Sequence, residues 1–249
     1  MFHFGIISLL PEMFASLQYG ITGRAIKHGL VNIDVWNPRD WAKLPYRQVD
    51  DKPYGGGPGM VMMYEPLHAA IVHARQQMPA ACRAIYLSPQ GRRIVQKDLN
   101  EAAAQKRPLL FIAGRYEGID ERIMTECVEE EWSLGDFVLS GGEMAAMVFI
   151  DAITRLLPGS LGHHGSAQQD SFMHGLLDYP HYTRPPVVNH AKVPDVLLSG
   201  NHHEIARWRK KQALGRTWLK RPDLLDQLNL NDVDKQLLIE FQREHGYSV

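Results

Sequence analysis

The chain has 249 residues, enough for one large domain or two modest ones around a substantial core. Apolar residues make up 45% and charged residues 22%, as in an ordinary globular protein, and no apolar run approaches the roughly 18 residues of a membrane span. A net charge of −1 and two distant cysteines, Cys82 and Cys127, argue against a globally basic nucleic-acid binder, a disulfide scaffold and a zinc site, and point to a reducing, cytoplasmic home.

Met1 to Ser8 has no basic n-region and no small-residue cleavage site, so no signal peptide is expected. Phe2 to Leu9 reads as a first strand, and Pro11 suits the first turn of a helix to about Tyr19. Val31 to Trp36 alternates like a half-buried strand. From Asn37 to Gly59 there is no period, and so long a loop in a compact domain is usually functional or disordered. Its Gly55-Gly56-Gly57-Pro58-Gly59 core could cradle phosphate but lacks the Lys-Ser/Thr of a P-loop, and a mobile surface hairpin is the plainer reading. Met60, Met62 and Met63 read as core filler. Glu65 to Met78 is an amphipathic helix. Ala84 to Ser88 is a buried-type strand ending in Pro89-Gln90-Gly91, and Gln96 to Gln105 is helical. Leu109 to Ala113 is a second such strand, ending in Gly114-Arg115-Tyr116-Glu117-Gly118-Ile119-Asp120, with a helix from about Ile119 to Glu126.

The organising stretch runs from Trp132 to Ile150. A turn over Ser133 to Asp136 leads into a third apolar run, Phe137-Val138-Leu139, and a Ser140-Gly141-Gly142 turn leads into a helix opened by Glu143. Met144, Met147, Val148, Ile150 and Ile153 recur at helical spacing and mark the expected buried face. Glycines here let the backbone approach a ligand, and the helix start leaves N–H groups free to donate. Strands alternating with helices imply a parallel sheet covered on both faces. Three buried-type strands, each stopping in a glycine-containing loop, put a ligand crevice outside their carboxyl ends. No G-x-G-x-x-G opens a first unit, which argues against a dinucleotide site.

After Pro158, Gly159 to Gln169 has no apolar period and reads as a linker. The adjacent pairs His163-His164 and His202-His203 are poor metal ligands, because neighbouring side chains diverge. Asn201 to Glu204 has the form of an N-cap with a capping-box partner. From Asn201 to Pro222, Arg207, Arg209, Lys210, Lys211, Arg216, Lys220 and Arg221 stand against Glu204 alone, with Trp208 and Trp218 among them. Such a helix is either a solvated face or a surface for a polyanion offering phosphates and bases. Glu117 to Asp136 is as strongly acidic. Val233 to His245 closes the chain as an amphipathic helix.

Five ordered motifs carry a resemblance: residues 51–60 (DKPYGGGPGM), 86–91 (YLSPQG), 114–120 (GRYEGID), 140–143 (SGGE) and 178–185 (DYPHYTRP). Together they closely resemble the TrmD family of bacterial tRNA (guanine-N1)-methyltransferases, from Phe4 to about Gln212. The resemblance implies an α/β fold of the SPOUT class, a parallel sheet with a C-terminal trefoil knot, followed by a small helical domain. Residues 1–160 would then form the S-adenosylmethionine-binding domain, 161–171 a linker and 172–249 a helical tRNA-binding domain. It also implies methylation of N1 of the guanine 3′ of the anticodon, position 37, by a cytoplasmic homodimer with no membrane contact and with S-adenosylmethionine as donor. A divalent metal such as Mg2+ is a further expected assistant.

Guanine N1 holds a proton, and charge develops on O6 as that proton leaves, so the reaction needs a base and a cationic donor. The resemblance assigns the base to Asp170 and the donor to Arg155; by themselves they read as a helix cap and a surface ion pair. It places the cofactor on backbone groups of Tyr86, Leu87, Ser88, Pro89, Gln90, Gly114, Ser133, Leu134, Gly135, Asp136, Phe137, Val138 and Leu139, with room made by Gly141 and Gly142. Tyr116 and Glu117 would bound the methionine end or the approach to the base. Asp51, Gly56, Asp178, Arg207, Lys210 and Lys211 are the expected tRNA contacts. Two alternatives stay open here: a catalytically silent tRNA-binding relative, and a relative methylating ribose 2′-OH or ribosomal RNA.

Overall fold

Most apolar runs in the first two thirds of the chain become strands of one sheet. In order the elements are β1 (Phe2–Ile7), a 3-10 helix (Pro11–Gln18), α1 (Gly20–Lys27), β2 (Val31–Trp36), a 3-10 helix (Pro38–Trp41), β3 (Asp50–Asp51) and β4 (Val61–Met62). There follow α2 (Tyr64–Gln77), β5 (Arg83–Arg93), α3 (Gln96–Gln105), β6 (Leu109–Ala113), α4 (Glu121–Cys127), β7 (Glu130–Ser133) and α5 (Glu143–Leu156). The structure, a computed structural model, describes residues 1–79, 82–162 and 167–247. The chain divides into two compact units, Met1–His164 and Gly165–Val249.

The first unit is built on a parallel sheet in the order β2-β1-β6-β5-β7. Every residue of β6 is buried, as a central parallel strand covered on both faces requires. Side chains alternate across it. Leu109 and Phe111 join a core shared with α1, α3 and α5, while Leu110 and Ile112 join one shared with α2 and α4. The expected α/β class with a parallel sheet is therefore present.

Local differences have physical causes. β5 does not stop at Ser88: its ladder to β7 breaks between Leu87 and Arg92 and then resumes, so residues 88–91 leave the register and return. From Pro11 the chain makes a 3-10 helix to Gln18 and then α1, whose buried residues are the small Thr22, Gly23 and Ala25. The third strand is β7. Phe137, Val138 and Leu139 are 55%, 83% and 42% exposed in the loop after it, because an apolar run can mark outward surface as well as a core strand. α5 buries Ala145, Ala146, Phe149, Ile150 and Ile153, whereas Met144 and Val148 are exposed. Two alanines let this helix lie close on the sheet, so the buried stripe is rotated away from the large apolar residues.

The long loop contains a small hairpin in which β3 and β4 pair antiparallel. It is sewn to the loop after β6: Met62 N–H donates to Gly118 O at 2.9 Å, Asp120 N–H to Met62 O at 3.1 Å and Glu117 N–H to Met60 O at 2.9 Å. Met62 is fully buried, while Met60 and Met63 are only partly so.

The second unit holds a 3-10 helix (Ala167–Gln169), β8 (Val187–Val188), β9 (Ala191–Lys192), α6 (Asp195–Leu198), α7 (His202–Lys220), α8 (Pro222–Leu225) and α9 (Asp232–Glu244). Leu176, Ala213, Leu214 and Leu237 form its core. α7 and α9 close on each other at Gly215, where a Cβ would lie 2.2 Å from the Phe241 ring. Asn201 Oδ1 accepts from Glu204 N–H at 3.3 Å and so caps α7, but the expected reciprocal contact is replaced, since Asn201 N–H donates to Ser199 Oγ at 3.1 Å. Of the expected linker, residues 163–166, with the His163-His164 pair, lie outside the described residues. No helix among the described residues is long and apolar enough to cross a membrane.

Candidate active site

Beyond the carboxyl ends of β6 and β7, and against the excursion in β5, the first unit encloses a cavity of about 370 Å³. Residues 86–90, 114–119, 131–135 and 137–142 form most of its wall. This is the crevice that an open parallel sheet offers a ligand, and its volume suits a small molecule. Glycine makes the close approaches possible. A Cβ at Gly114 would lie 2.8 Å from the Tyr86 ring, and one at Gly142 would lie 2.7 Å from Ala113 Cα. Gly142 N–H donates to Gly114 O at 2.9 Å, joining the start of α5 to the end of β6. Ser133 Oγ accepts from Gly135 N–H at 3.1 Å and donates to Gly135 O at 3.2 Å, which fixes the turn after β7.

The cavity's charge is mostly negative. Glu117, Glu121 and Glu131 line it, and Arg115 is the one cation among the described lining residues. Burial, and then the Glu131 and Glu121 carboxylates, push the Tyr86 phenol up to about 12, so it stays a neutral donor. Behind the wall Glu143 is fully buried. It accepts from Ser8 Oγ at 2.9 Å and from Arg115 Nε at 3.0 and 3.2 Å.

All the residues expected to hold a cofactor lie on this wall except Asp136, which is exposed outside the lining. The structure thus brings together Tyr86, Leu87, Ser88, Pro89, Gln90, Gly114, Tyr116, Glu117, Ser133, Leu134, Gly135, Phe137, Val138, Leu139, Gly141 and Gly142. It adds Arg115, Glu121 and Glu131. Arg115 sits inside the 114–120 motif without a spacing that singles it out, and the two glutamates show in the sequence only as part of an acidic run.

A family model described as tRNA (Guanine-1)-methyltransferase TrmD matches residues 2–227, which include the whole wall. The chain belongs to the TrmD family. It is 71% identical over 246 residues to a tRNA (guanine-N(1)-)-methyltransferase of Legionella pneumophila subsp. pneumophila (strain Philadelphia 1), covering 99% of this chain and 98% of that protein. A protein of the same name from Photorhabdus laumondii is 57% identical over 242 residues, 97% of this chain and 96% of that one. Another from Yersinia pestis (strain Pestoides F) is 56% identical over 242 residues, 97% and 98% of the two chains.

The residues expected to do chemistry or to hold tRNA are spread over both units. Arg155 is partly buried in the last turn of α5. Asp170 follows the 3-10 helix of the second unit, exposed, and its carbonyl accepts from Met173 N–H at 3.3 Å. Asp51 is exposed and accepts from Lys52 N–H at 2.7 Å, while Gly56 has a φ of +78° and open space around it. Asp178 accepts from Tyr179 N–H at 2.7 Å and pairs with His181 Nε2 at 2.8 Å.

On α7 the expected tRNA contacts have carboxylate partners of their own. Arg207 pairs with Glu240 at 2.7 Å, Lys210 with Asp234 at 3.3 Å and Lys211 with Glu244, and Lys211 is buried. All three cations thus face carboxylates of α9, while Arg207 and Lys210 remain exposed. Arg209, whose guanidinium lies 4.8 Å from the Tyr179 ring centroid, Arg216 and Lys220 fall outside those pairs. Among the described residues no group of three or more His, Cys, Asp or Glu is placed to hold a metal ion.

Proposed function

We propose that this chain is a tRNA (guanine-N1)-methyltransferase, which moves the methyl group of S-adenosylmethionine to N1 of the guanine just 3′ of the anticodon, position 37. The family match across the whole cavity wall carries the reading. The site fits such a donor. Its glycines let the loops of the wall pack against one another more closely than any Cβ would allow, and its three carboxylates suit a ligand bearing a sulfonium and an ammonium.

The sulfonium makes the methyl group transferable without further activation, so the protein's work falls on the acceptor. Asp170 takes the proton from guanine N1, leaving the ring nitrogen with the lone pair that attacks the methyl carbon. Arg155 donates to O6 as negative charge gathers there. Tyr116, Glu117 and the hairpin carrying Asp51 and Gly56 bound the approach of the base. The expected Mg2+ finds no supporting cluster among the described residues, and the steps above use none.

A cytoplasmic homodimer, with each site completed by a second copy, remains part of this proposal, as does the backbone knot that the family implies. Exposed Met144 and Val148 on α5, outside the cavity wall, support the dimer, because outward apolar residues on a helix suit an isologous interface. The test is a methyl-transfer assay with labelled S-adenosylmethionine on tRNA transcripts. Label should enter transcripts with guanine at position 37 and should be absent when that base is changed. Equal labelling of both would refute the assignment.

A further inference from the structure

Asp170 is exposed, yet the chain on either side of it is tied down. Before it, Gln169 Oε1 accepts from the Tyr179 phenol at 3.2 Å. After it, Ser171 Oγ accepts from Asp178 N–H at 2.9 Å. Both neighbours are thus bonded through their side chains to consecutive residues of the 178–185 motif. The turn that follows is closed by Met173 N–H donating to Asp170 O at 3.3 Å and Phe172 N–H to Leu176 O at 2.7 Å. These ties lead to the core of the second unit. Leu176 belongs to that core, and Leu177 N–H donates to Thr217 Oγ1 at 2.9 Å. Thr217 is fully buried on α7, where its hydroxyl donates to Ala213 O at 2.7 Å. Tyr179 is fixed from further directions. Its N–H donates to Asp178 Oδ1 at 2.7 Å, and its ring lies 4.8 Å from the Arg209 guanidinium and 4.9 Å from the His181 ring.

Burial does not explain this bracing. Gln169, Asp170 and Phe172 are all exposed, so ordering them hides little apolar surface. Phe172 moreover holds a φ of +73°, a left-handed conformation that is costly for a bulky side chain. Such residues persist only where their surroundings over-determine them, and they cluster at active sites. A carboxylate that must meet one ring proton has that need, because a misplacement of about 1 Å can cost on the order of 10²-fold in rate.

We propose that Ser171 and Tyr179 are positioning residues that hold Asp170 for removal of the proton from guanine N1. This rests on reading Asp170 as the base. The test is single-turnover methylation of a tRNA transcript by the full chain, at saturating S-adenosylmethionine and tRNA. Ser171→Ala and Tyr179→Phe are each made alone and in the Asp170→Asn background. With Asp170 present, each should slow the step by about 10- to 100-fold. In the Asp170→Asn background each should slow it by less than about twofold, because the group they position is gone. Affinities for S-adenosylhomocysteine and for tRNA, by calorimetry and filter binding, should stay at their wild-type values. Either variant keeping the wild-type rate overturns the proposal. So does an equal slowing in both backgrounds, the mark of a merely structural role. A loss that more tRNA restores also overturns it, since the two residues would then be RNA contacts. If Asp170→Asn alone turns over as fast as wild type, the base assignment itself falls, a result distinct from all of these.

Discussion

Gly142→Ala places a methyl group where the start of α5 meets the end of β6 in the cavity wall. Its Cβ would lie 2.7 Å from Ala113 Cα and 3.2 Å from Gly114 N. Ordinary contact begins near 3.4 Å, so something must move by at least about 0.7 Å. β6 cannot yield, since all of its residues are buried between two cores. The start of α5 must retreat instead, stretching the 2.9 Å bond from Gly142 N–H to Gly114 O. Overpacking of this kind costs about 1–3 kcal/mol, which in a unit of this size lowers the melting temperature by about 2–12 °C. S-adenosylhomocysteine affinity should fall as well, because the same movement opens the wall. Differential scanning fluorimetry and calorimetry on one sample measure both. Gly162→Ala is the control, with nothing within 4 Å of its Cβ, and it should change neither. Wild-type melting and wild-type affinity in Gly142→Ala would refute the claim that this turn sets the wall.

Asp170→Asn should cut single-turnover methylation by about 10²- to 10⁴-fold with donor affinity kept. Arg155→Ala should slow the same step; a normal rate in a destabilised Asp170→Asn protein would make Asp170 only a cap, worth about 1 kcal/mol. Replacing Arg209, Arg216 and Lys220 by Gln should weaken tRNA binding and reduce its salt slope by about 0.7–0.9 for each phosphate no longer neutralised, with melting unchanged. Neutralising Arg207, Lys210 and Lys211 should instead lower the melting temperature by loosening α7 from α9, and the opposite pattern in filter binding and melting would return phosphate binding to the paired set. The Tyr86 phenol, pushed up to about 12 from an ordinary 10.0 by burial and by the Glu131 and Glu121 charges, should leave stability untouched below pH 10 and erode it as pH climbs toward 12. Tyr86→Phe should flatten that alkaline fall in melting temperature, and an unchanged slope would contradict it.

What could be read from the sequence was whatever a single element decides. α3 and β6 have the expected limits, because a helix with one buried face and a strand buried on both carry their environment in their own period. The loops that wall the cavity were legible through glycine. Relations between elements were not. Phe137 to Leu139 has the composition of a core strand and lies on the surface. Glu143 looks like an exposed helix opener and is fully buried, because Arg115 and Ser8 come to it from distant parts of the chain. The basic face of α7 reads as open because Asp234, Glu240 and Glu244, which neutralise part of it, belong to another helix.

The proposed chemistry depends above all on the glycine-walled cavity being where the methyl donor sits. A crystal structure with bound S-adenosylhomocysteine examines this without intermediaries. Ligand density is expected between residues 86–90, 114–118 and 133–139, with the thioether sulfur open to the incoming base. Ligand density elsewhere on the chain, with this cavity filled only by water, would overturn the donor-site assignment.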